Sequence, residues 1–296
     1  MMHDALSNTF IHTITKTYGD RGKQWLAHLP LLIDQCAQEW GLTDLKTFPN
    51  LTYNYVLSGK QSITPIVLKL RCDQAELEHE VAALKAFEKY GGVRVLAYAW
   101  QQGAVLLEHL LPGHLLETLF PHRDQEATHL SIQLLKRVHQ ASLPSGHVFP
   151  TLDQFMPDLS QDAKELWPFL ARARALRKQL LEQPSSPVLL HGDFHQGNIV
   201  SAGDEWVVID PQGAIGNPLY DVAVYLRNPL KQLVQQPNAK ELITDRICQV
   251  AQAFECDAQT VVDWAYLQAT SSAYWSVQDG LTVDNHVAFL TLLGDL

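Results

Sequence analysis

PVLLHGDFHQGNIVSAGDEWVVIDPQGAIGNPLYD, at residues 187–221, is the stretch that decides the fold. Its short apolar runs, bounded by Gly, Asp and Asn, predict strands at 187–190, 198–201 and 206–209. A tight Gly-Asp turn joins the last two strands, so the polar groups at the open end of that pair are held in place. We therefore expect Asp193, Asn198 and Asp210 to converge at one edge of the pair.

The spacing of these three polar side chains is that of a phosphoryl-transfer centre. In such a centre one carboxylate accepts the proton of an attacking hydroxyl, while an amide oxygen and a second carboxylate hold Mg²⁺ on the nucleotide phosphates. The catalytic loop of protein kinases has the same Asp-x-x-x-x-Asn interval. The pattern predicts Asp193 as the catalytic base and Asn198 and Asp210 as ligands of Mg²⁺.

The motifs of this stretch resemble those of the aminoglycoside phosphotransferase superfamily, whose members have the form HGDxxxxN, then an Asp after a strand, then GxPxxDxA. Here they read HGDFHQGN, VVIDPQG and GNPLYDVA. Four further segments resemble the branch that holds streptomycin 6-phosphotransferase and the hydroxyurea phosphotransferases. They are DRGKQWLAHLPLLIDQCAQEWGLT at 20–43, TPIVLKL at 64–70, VLLEHL at 105–110 and LRNP at 226–229. The resemblance covers about residues 20–295.

The resemblance implies an α+β, bilobal, protein-kinase-like fold with a small antiparallel sheet lobe and a mainly helical large lobe. An N-terminal nucleotide-binding lobe at 1–107, with a leading helix, would be followed by a hinge at 108–113 and by a catalytic and substrate-binding lobe at 114–296. In the hinge, backbone groups of Glu108, His109 and Leu110 would meet the adenine of ATP. His191 and Asp221 would support the catalytic loop, although a plain helix-start carboxylate explains Asp221 equally well.

A second predicted feature is an ion pair in the N-terminal part. Lys69 is flanked by apolar residues in a predicted strand at 63–70, and Glu80 falls in the apolar stripe of a predicted helix at 74–89. A carboxylate in such a stripe needs a cation, and Lys69 is the nearest candidate, although the two can also be unrelated surface charges. The resemblance makes Lys69 the residue that binds the ATP phosphates, aimed by Glu80.

The region before Lys69 departs from the family pattern. The loop at 46–54, which we place before the first strand, contains no glycine, so we expect either a looser cover over the phosphates or a contact from the Thr52 hydroxyl. The leading helix is predicted at 21–40, broken or kinked by Pro30 and stopped by Gly41. The other predicted strands are 51–57, joined to 63–70 by a turn at 58–60, then 93–100 and 104–109. The other predicted helices are 124–141, 159–182, 240–254, 258–278 and 285–293.

The composition limits the class of protein and the kinds of partner that these motifs can belong to. A chain of 296 residues with 46% hydrophobic and 18% charged residues has ample material for a core. The net charge of −10 argues against nucleic-acid or anionic-membrane binding and favours a cationic or polar small acceptor. The four cysteines form no C-x-x-C pair, and the chain shows neither a signal peptide nor an apolar membrane span. We expect a cytoplasmic protein.

The functional hypothesis is an ATP- and Mg²⁺-dependent small-molecule kinase that phosphorylates a hydroxyl of a streptomycin-like antibiotic or hydroxyurea and so confers resistance. Trp275 and Asp279, near the end of a predicted helix, can hold a cationic acceptor by cation–π and charge contacts, or can belong to a packed helix end. Two alternatives use the same centre: a metabolic kinase acting on a homoserine-, choline- or fructosamine-like acceptor, and a nucleotide-binding module with little turnover. A metal site of His191, Asp193 and His195, as in a metallophosphoesterase, is a further alternative.

Overall fold

The computed structural model describes residues 6–49, 51–146, 149–160, 163–183 and 186–295. The N-terminal part of the chain folds around a five-stranded antiparallel sheet with strand order β1-β2-β3-β5-β4. Its elements in chain order are α1 (Asn8–Trp40), β1 (Leu42–Thr47), β2 (Asn54–Gln61), β3 (Thr64–Arg71), α2 (Gln74–Phe87), β4 (Val95–Ala99) and β5 (Ala104–Glu108). Helix α2 packs against the sheet, because Leu77, Val81 and Leu84 share an apolar cluster with Val105 and Leu107 of β5.

The rest of the chain is mainly helical and contains two small sheets. Its elements are β6 (Pro112–Leu115), α3 (Asp124–Val138), α4 (Leu152–Phe155), α5 (Trp167–Glu182), β7 (Val188–Leu190), β8 (Ile199–Ala202), β9 (Glu205–Val208), β10 (Ala214–Gly216), α6 (Leu219–Leu226), α7 (Leu230–Val234), α8 (Ala239–Phe254), α9 (Ala258–Gln278) and α10 (Asp284–Gly294). Strands β6, β8 and β9 form one sheet, and β7 pairs with β10.

Two large apolar clusters reflect this division. One joins α1 to the five-stranded sheet and includes Phe10, Ile33 and Leu68. The other joins the helices of the C-terminal part and contains the fully buried Trp264 and Phe289. None of the helices within the described part of the chain is long and apolar enough to cross a membrane.

The leading helix differs from its prediction at two points. It begins at Asn8, with Ser7 accepting a hydrogen bond from the Phe10 N–H, and its interruption lies at Gly19 (φ 58°, ψ −132°). The break predicted at Pro30 is wrong, because Pro30 lies inside the helix. The residue is exposed, so the carbonyl that proline leaves without a hydrogen-bond donor can bind water. Glycine accepts a positive φ at little steric cost, which explains the position of the interruption. The predicted stop at Gly41 is confirmed.

The predicted turn at 58–60 is also wrong, because those residues lie inside β2. Gly59 belongs there because β1, which was not predicted, approaches closely: a Cβ on Gly59 would lie 2.6 Å from Cδ2 of Leu45. The hairpin turns instead at Ser62 (φ 56°) and Ile63, which is 91% exposed. The glycine-free loop therefore connects β1 to β2 and does not precede the first strand. Its Asn50 lies outside the described residues.

The strands predicted at 93–100, 104–109, 187–190, 198–201 and 206–209, and the later helices other than the one predicted at 159–182, are confirmed to within a few residues at their ends. The helix predicted to begin at residue 159 begins at Trp167, because Leu159 has a positive φ of 57°. The short elements β6, β10, α4 and α7 were not predicted.

Candidate active site

The strand pair β8–β9 gathers the predicted catalytic residues at its open end. Asn198 directly precedes β8, and Asp210 follows β9 with a φ of 57°. The N–H of Ile209 donates to the carbonyl of Asn198 at 3.0 Å, so the two strand ends are held side by side. The Asn198 amide nitrogen donates to both the carbonyl (2.9 Å) and Oδ2 (3.2 Å) of Asp193. The structure thus brings the three predicted residues together.

The loop that carries Asp193 is held by buried groups on both sides. The carboxylate of Asp221, in the first turn of α6, accepts the N–H groups of His191 and Gly192 at 2.8 Å each. His191 lies 2.9 Å through Nε2 from the carbonyl of Ile209, and its Nδ1 accepts the N–H of Asp193 at 3.3 Å. Burial lowers the pKa of His191 despite the nearby Asp221, so the ring is neutral. His191 and Asp221 therefore position the loop.

The Asp193 carboxylate is half-buried and lies near His195 and Arg227. His195 Nε2 lies 3.4 Å from Asp193 Oδ2, and His195 Nδ1 accepts the N–H of Gly197 at 3.0 Å, which leaves the proton on Nε2. Burial raises the pKa of Asp193, but the hydrogen bond from His195 and the charge of Arg227 outweigh it and hold the pKa below its usual range. The carboxylate is therefore ionised at neutral pH and can accept a proton.

The predicted ion pair between Lys69 and Glu80 is present. Lys69 Nζ lies 2.6 Å from Glu80 Oε1 and 2.6 Å from Asp210 Oδ1, and both Lys69 and Glu80 are buried. Burial raises the pKa of Asp210, but Lys69 and then Arg71 outweigh it and lower the pKa to about 2. Lys69 therefore joins helix α2 to the open end of the β8–β9 pair.

A cavity of about 280 Å³ lies beside this ion pair. Its lining includes Lys69, Glu80 and Asp210 together with the predicted hinge residues Glu108, His109 and Leu110. Valine and leucine side chains form the walls, which suits a flat aromatic base. A larger open depression of about 680 Å³ lies behind α2 and contains none of the predicted site residues, so the chemistry favours the smaller cavity.

Thr52 is exposed and does not line the nucleotide cavity. The residue of the same loop that does is Phe48, whose ring centroid lies 6.0 Å from that of His109. An aromatic ring therefore covers the cavity where a hydroxyl was expected.

Trp275 and Asp279 lie further from Asp193. The Trp275 ring packs edge-on against Phe155 at 6.2 Å, and Phe155 in turn borders Gly192. Asp279 is exposed, and its backbone carbonyl accepts a hydrogen bond from Lys16. Trp275 is thus separated from the catalytic loop by one aromatic ring.

The proposed metal ligands fit a hard divalent cation. Asn198 donates through its amide nitrogen, so its amide oxygen is the atom that can bind Mg²⁺, as can the carboxylate of Asp210. Within the described ranges, no group of three or more His, Cys, Asp or Glu side chains could hold a metal ion. The alternative site of His191, Asp193 and His195 is wrong, because both ring nitrogens of His191 are engaged by the backbone.

Two arginines near the site were not singled out from the sequence. Arg71 lies 3.3 Å from Glu80 and 3.9 Å from Asp210, and strand alternation places it on the same face as Lys69 two residues earlier. Arg227, in the LRNP segment, donates to Gln268 Oε1 at 2.7 Å and contributes to the low pKa of Asp193. The alternation of residues along a strand could have identified Arg71, which stands two positions after Lys69. Arg227 lies just after a helix, where no apolar periodicity marks it; only the LRNP segment points to it.

Comparisons with known proteins agree with this geometry. The family model described as aminoglycoside/hydroxyurea antibiotic resistance kinase matches residues 50–280. A streptomycin 6-kinase of Streptomyces griseus is 26% identical over 95% of this chain and 93% of its own length. A hydroxyurea phosphotransferase of Kitasatospora aureofaciens is 27% identical over 88% of this chain and 77% of its own length.

A solved structure shows the same fold. A thermostable mutant of an aminoglycoside phosphotransferase, in a ternary complex with ADP and hygromycin B, matches with a TM-score of 0.66 at 14% identity. The match covers 88% of this chain and 96% of that one. It confirms the predicted α+β, bilobal, kinase-like architecture.

Proposed function

We propose that this chain, which belongs to the aminoglycoside/hydroxyurea antibiotic resistance kinase family, phosphorylates a hydroxyl of a streptomycin-like antibiotic. As a member of that family it is a phosphotransferase that uses ATP and a divalent metal. The observation that carries the proposal is the convergence of Asp193, Asn198 and Asp210 at the open end of one strand pair, with Asp210 bound to Lys69 in the lining of the nucleotide cavity. We assign the lobes to 1–107 and 114–296, with the hinge at 108–113.

Asp193 is the proposed base. Its ionised carboxylate would accept the proton of the acceptor hydroxyl through Oδ1 as the oxygen attacks phosphorus, since Oδ2 already accepts from the Asn198 amide. The two hydrogen bonds from Asn198 fix the orientation of Asp193, and Asp221 fixes the backbone on its other side. Because the transition state of phosphoryl transfer is loose, we expect alignment by these contacts to contribute more than base catalysis.

Lys69 is the proposed phosphate-binding residue, with Glu80 holding its ammonium group. Asn198 and Asp210 would hold Mg²⁺, which supplies positive charge against the phosphate oxygens. Phe48 and the hinge residues would enclose the adenine and keep water from one end of the cavity. The low pKa of Asp210 keeps it ionised for this role.

A streptomycin-like acceptor is supported by the acidic chain and by sequence similarity to the streptomycin kinase. Streptomycin carries guanidinium groups, and Trp275 and Asp279 are the residues proposed to receive them near the end of α9. Hydroxyurea is a second candidate, favoured by Arg227. Within the described part of the chain, this guanidinium has no carboxylate within 4 Å, and it acts on the pKa of Asp193, so it suits the carbonyl oxygen of a small neutral acceptor.

The test is a coupled assay of ADP release with purified protein against streptomycin, hydroxyurea, homoserine, choline and a fructosamine. Wild type is compared with Asp193→Asn and with Asp204→Asn, an exposed carboxylate in the turn at the far end of the same strand pair. We expect turnover with streptomycin that falls about 10²- to 10⁴-fold in Asp193→Asn and is unchanged in Asp204→Asn. Turnover with a metabolite alone, or nucleotide binding without turnover, would refute the proposed acceptor.

A further inference from the structure

Arg71 is a second, largely buried cation beside Glu80 and Asp210, two carboxylates that line the nucleotide cavity. It stands at the end of β3, two residues after Lys69, and its side chain is only 10% exposed. Its Nε donates to Asn54 Oδ1 at 2.8 Å, one terminal nitrogen lies 3.3 Å from Glu80 Oε2, and the other lies 3.9 Å from Asp210 Oδ1. One guanidinium thus reaches the first residue of β2, helix α2 and the loop after β9.

Lys69 and Arg71 share the same two carboxylates. Lys69 binds Oε1 of Glu80, whereas the Oε2 atom of Glu80 is buried without a well-formed hydrogen bond and has Arg71 as its ion-pair partner. Both cations also approach Oδ1 of Asp210. Burial alone would lower the pKa of Arg71, but Glu80, Asp210 and Glu76 outweigh it and raise the pKa, so the guanidinium is charged.

Lys69 has only one N–H donor left for a nucleotide while it holds both carboxylates. An ammonium group has three N–H donors, and Lys69 already directs two of them at Glu80 and Asp210. When phosphate oxygens compete for the ammonium, a buried carboxylate that lost its cation would be costly unless another cation were in place. A guanidinium has five donors in a rigid plane and can bridge several partners at once.

We propose that Arg71 is a positioning residue of the phosphate site. It keeps Glu80 and Asp210 in place while Lys69 engages the nucleotide, and it anchors the glycine-free β1–β2 loop through Asn54. This inference rests on the proposed function and deepens it. The contact between Arg71 and Asn54 also explains how the loop can lack glycine. Because the Arg71 guanidinium holds the end of the loop, the loop depends less on its own backbone N–H groups to stay over the phosphates.

The experiment measures binding of AMP-PNP by titration calorimetry, with and without Mg²⁺, in wild type, Arg71→Gln, Arg71→Lys and Arg123→Gln. Arg123 is an exposed arginine paired with Glu126 at the start of α3, so its variant is the matched control. We expect Arg71→Gln to weaken Mg²⁺-dependent binding about 10- to 100-fold, with a smaller effect when Mg²⁺ is absent. Arg71→Lys should restore part of the loss, and Arg123→Gln should match wild type.

Asn54→Ala tests the anchoring of the loop by itself and keeps the proposal falsifiable if Arg71→Gln fails to fold. It removes the carbonyl that Arg71 holds but leaves the charges in place. We expect the KM for ATP to rise about tenfold with kcat within about twofold of wild type. Wild-type Mg²⁺–AMP-PNP affinity in Arg71→Gln, or an unchanged KM in Asn54→Ala, would overturn the inference.

The binding readout separates this inference from the proposed function. AMP-PNP binding is measured without an acceptor. If wild type binds Mg²⁺–AMP-PNP but phosphorylates no acceptor in the panel, the proposed function is refuted, and the role of Arg71 is still tested by the affinities of its variants. Conversely, if wild type phosphorylates streptomycin and Arg71→Gln binds the nucleotide with wild-type affinity, only the role of Arg71 is refuted and the proposed function stands.

Discussion

Nζ of Lys69 lies 2.6 Å from Oδ1 of Asp210, across 141 positions of sequence, and joins β3 to the loop that follows β9. The same ammonium lies 2.6 Å from Glu80, whose side chain is fully buried. Lys69 therefore joins the N-terminal sheet to the catalytic loop region, and Arg71 supports the same junction at a longer distance. A substitution of Lys69 should therefore change both the free energy of unfolding and the affinity for nucleotide.

We predict that Lys69→Met lowers the free energy of unfolding by about 1–3 kcal/mol and abolishes detectable binding of ATP, because the buried Glu80 carboxylate loses its closest cation and keeps only the longer contact with Arg71. The double variant Lys69→Met/Glu80→Leu should recover part of the stability, since it removes the carboxylate that lost its closest cation, but should remain inactive. Urea unfolding and a nucleotide-induced melting shift measure the two effects. A single variant as stable as wild type would contradict this account.

Asp221 should support activity through the backbone it holds. Asp221→Ala leaves the buried N–H groups of His191 and Gly192 without their acceptor, which should lower the free energy of unfolding by about 2–4 kcal/mol. Because the loop that carries Asp193 is released, kcat should fall more than the KM for ATP rises. Denaturant unfolding and steady-state kinetics check both, with exposed Asp204→Ala as the control. Equal losses in kcat and in ATP affinity would argue that Asp221 does not act through the catalytic loop.

The sequence carried enough information to locate the centre. The interval from Asp193 to Asn198 and the strand before Asp210 fix three side chains relative to one hairpin, and hairpins are local structures. Lys69 and Glu80 could be paired because each broke the apolar pattern of its own element. A buried charge needs an opposite charge, so two local anomalies predicted one long-range contact.

The features that were missed depend on contacts between elements that are distant in sequence. Gly59 was interpreted as a turn residue, since nothing local reveals that Leu45 of β1 packs against its backbone. Pro30 was expected to break a helix whose interruption lies at Gly19. Arg71 stood at a strand end, where a charged side chain ordinarily faces water, and only the fold shows that Glu80 and Asp210 surround it.

Gly59 supplies a direct test of that close approach. In Gly59→Ala the new methyl group would lie 2.6 Å from Cδ2 of Leu45 and 3.0 Å from the Thr43 carbonyl oxygen, so we expect a loss of about 1–3 kcal/mol in the free energy of unfolding. Leu45→Ala should relieve the larger clash. The combined variant should therefore lose less stability than the sum of the two single variants, as measured by urea denaturation. Strict additivity would show that Leu45 is not the obstacle.

His286 should make stability depend on pH. Its side chain is 8% exposed and lies 3.1 Å from Ser272 Oγ, and burial, followed by the charge of Arg227, lowers its pKa from 6.5 to about 4. The unfolded chain binds a proton at this group below pH 6.5, whereas the folded chain does so only near pH 4. Its contribution to stability is therefore complete above pH 6.5 and is lost as the pH falls towards 4.

From this group alone we expect the free energy of unfolding to be about 2 kcal/mol lower at pH 5 than at pH 7.5. Buried His191 contributes in the same direction, so the wild-type change is larger than that of one imidazole. His286→Gln should reduce the difference between the two pH values by its own share, while exposed His122→Gln serves as the control for removal of an imidazole. Urea unfolding at both pH values measures this. If His286→Gln leaves the pH dependence unchanged, the His286 ring can be protonated in the folded protein without penalty. The packing of α10 against α9 around the ring would then be looser than in the structure.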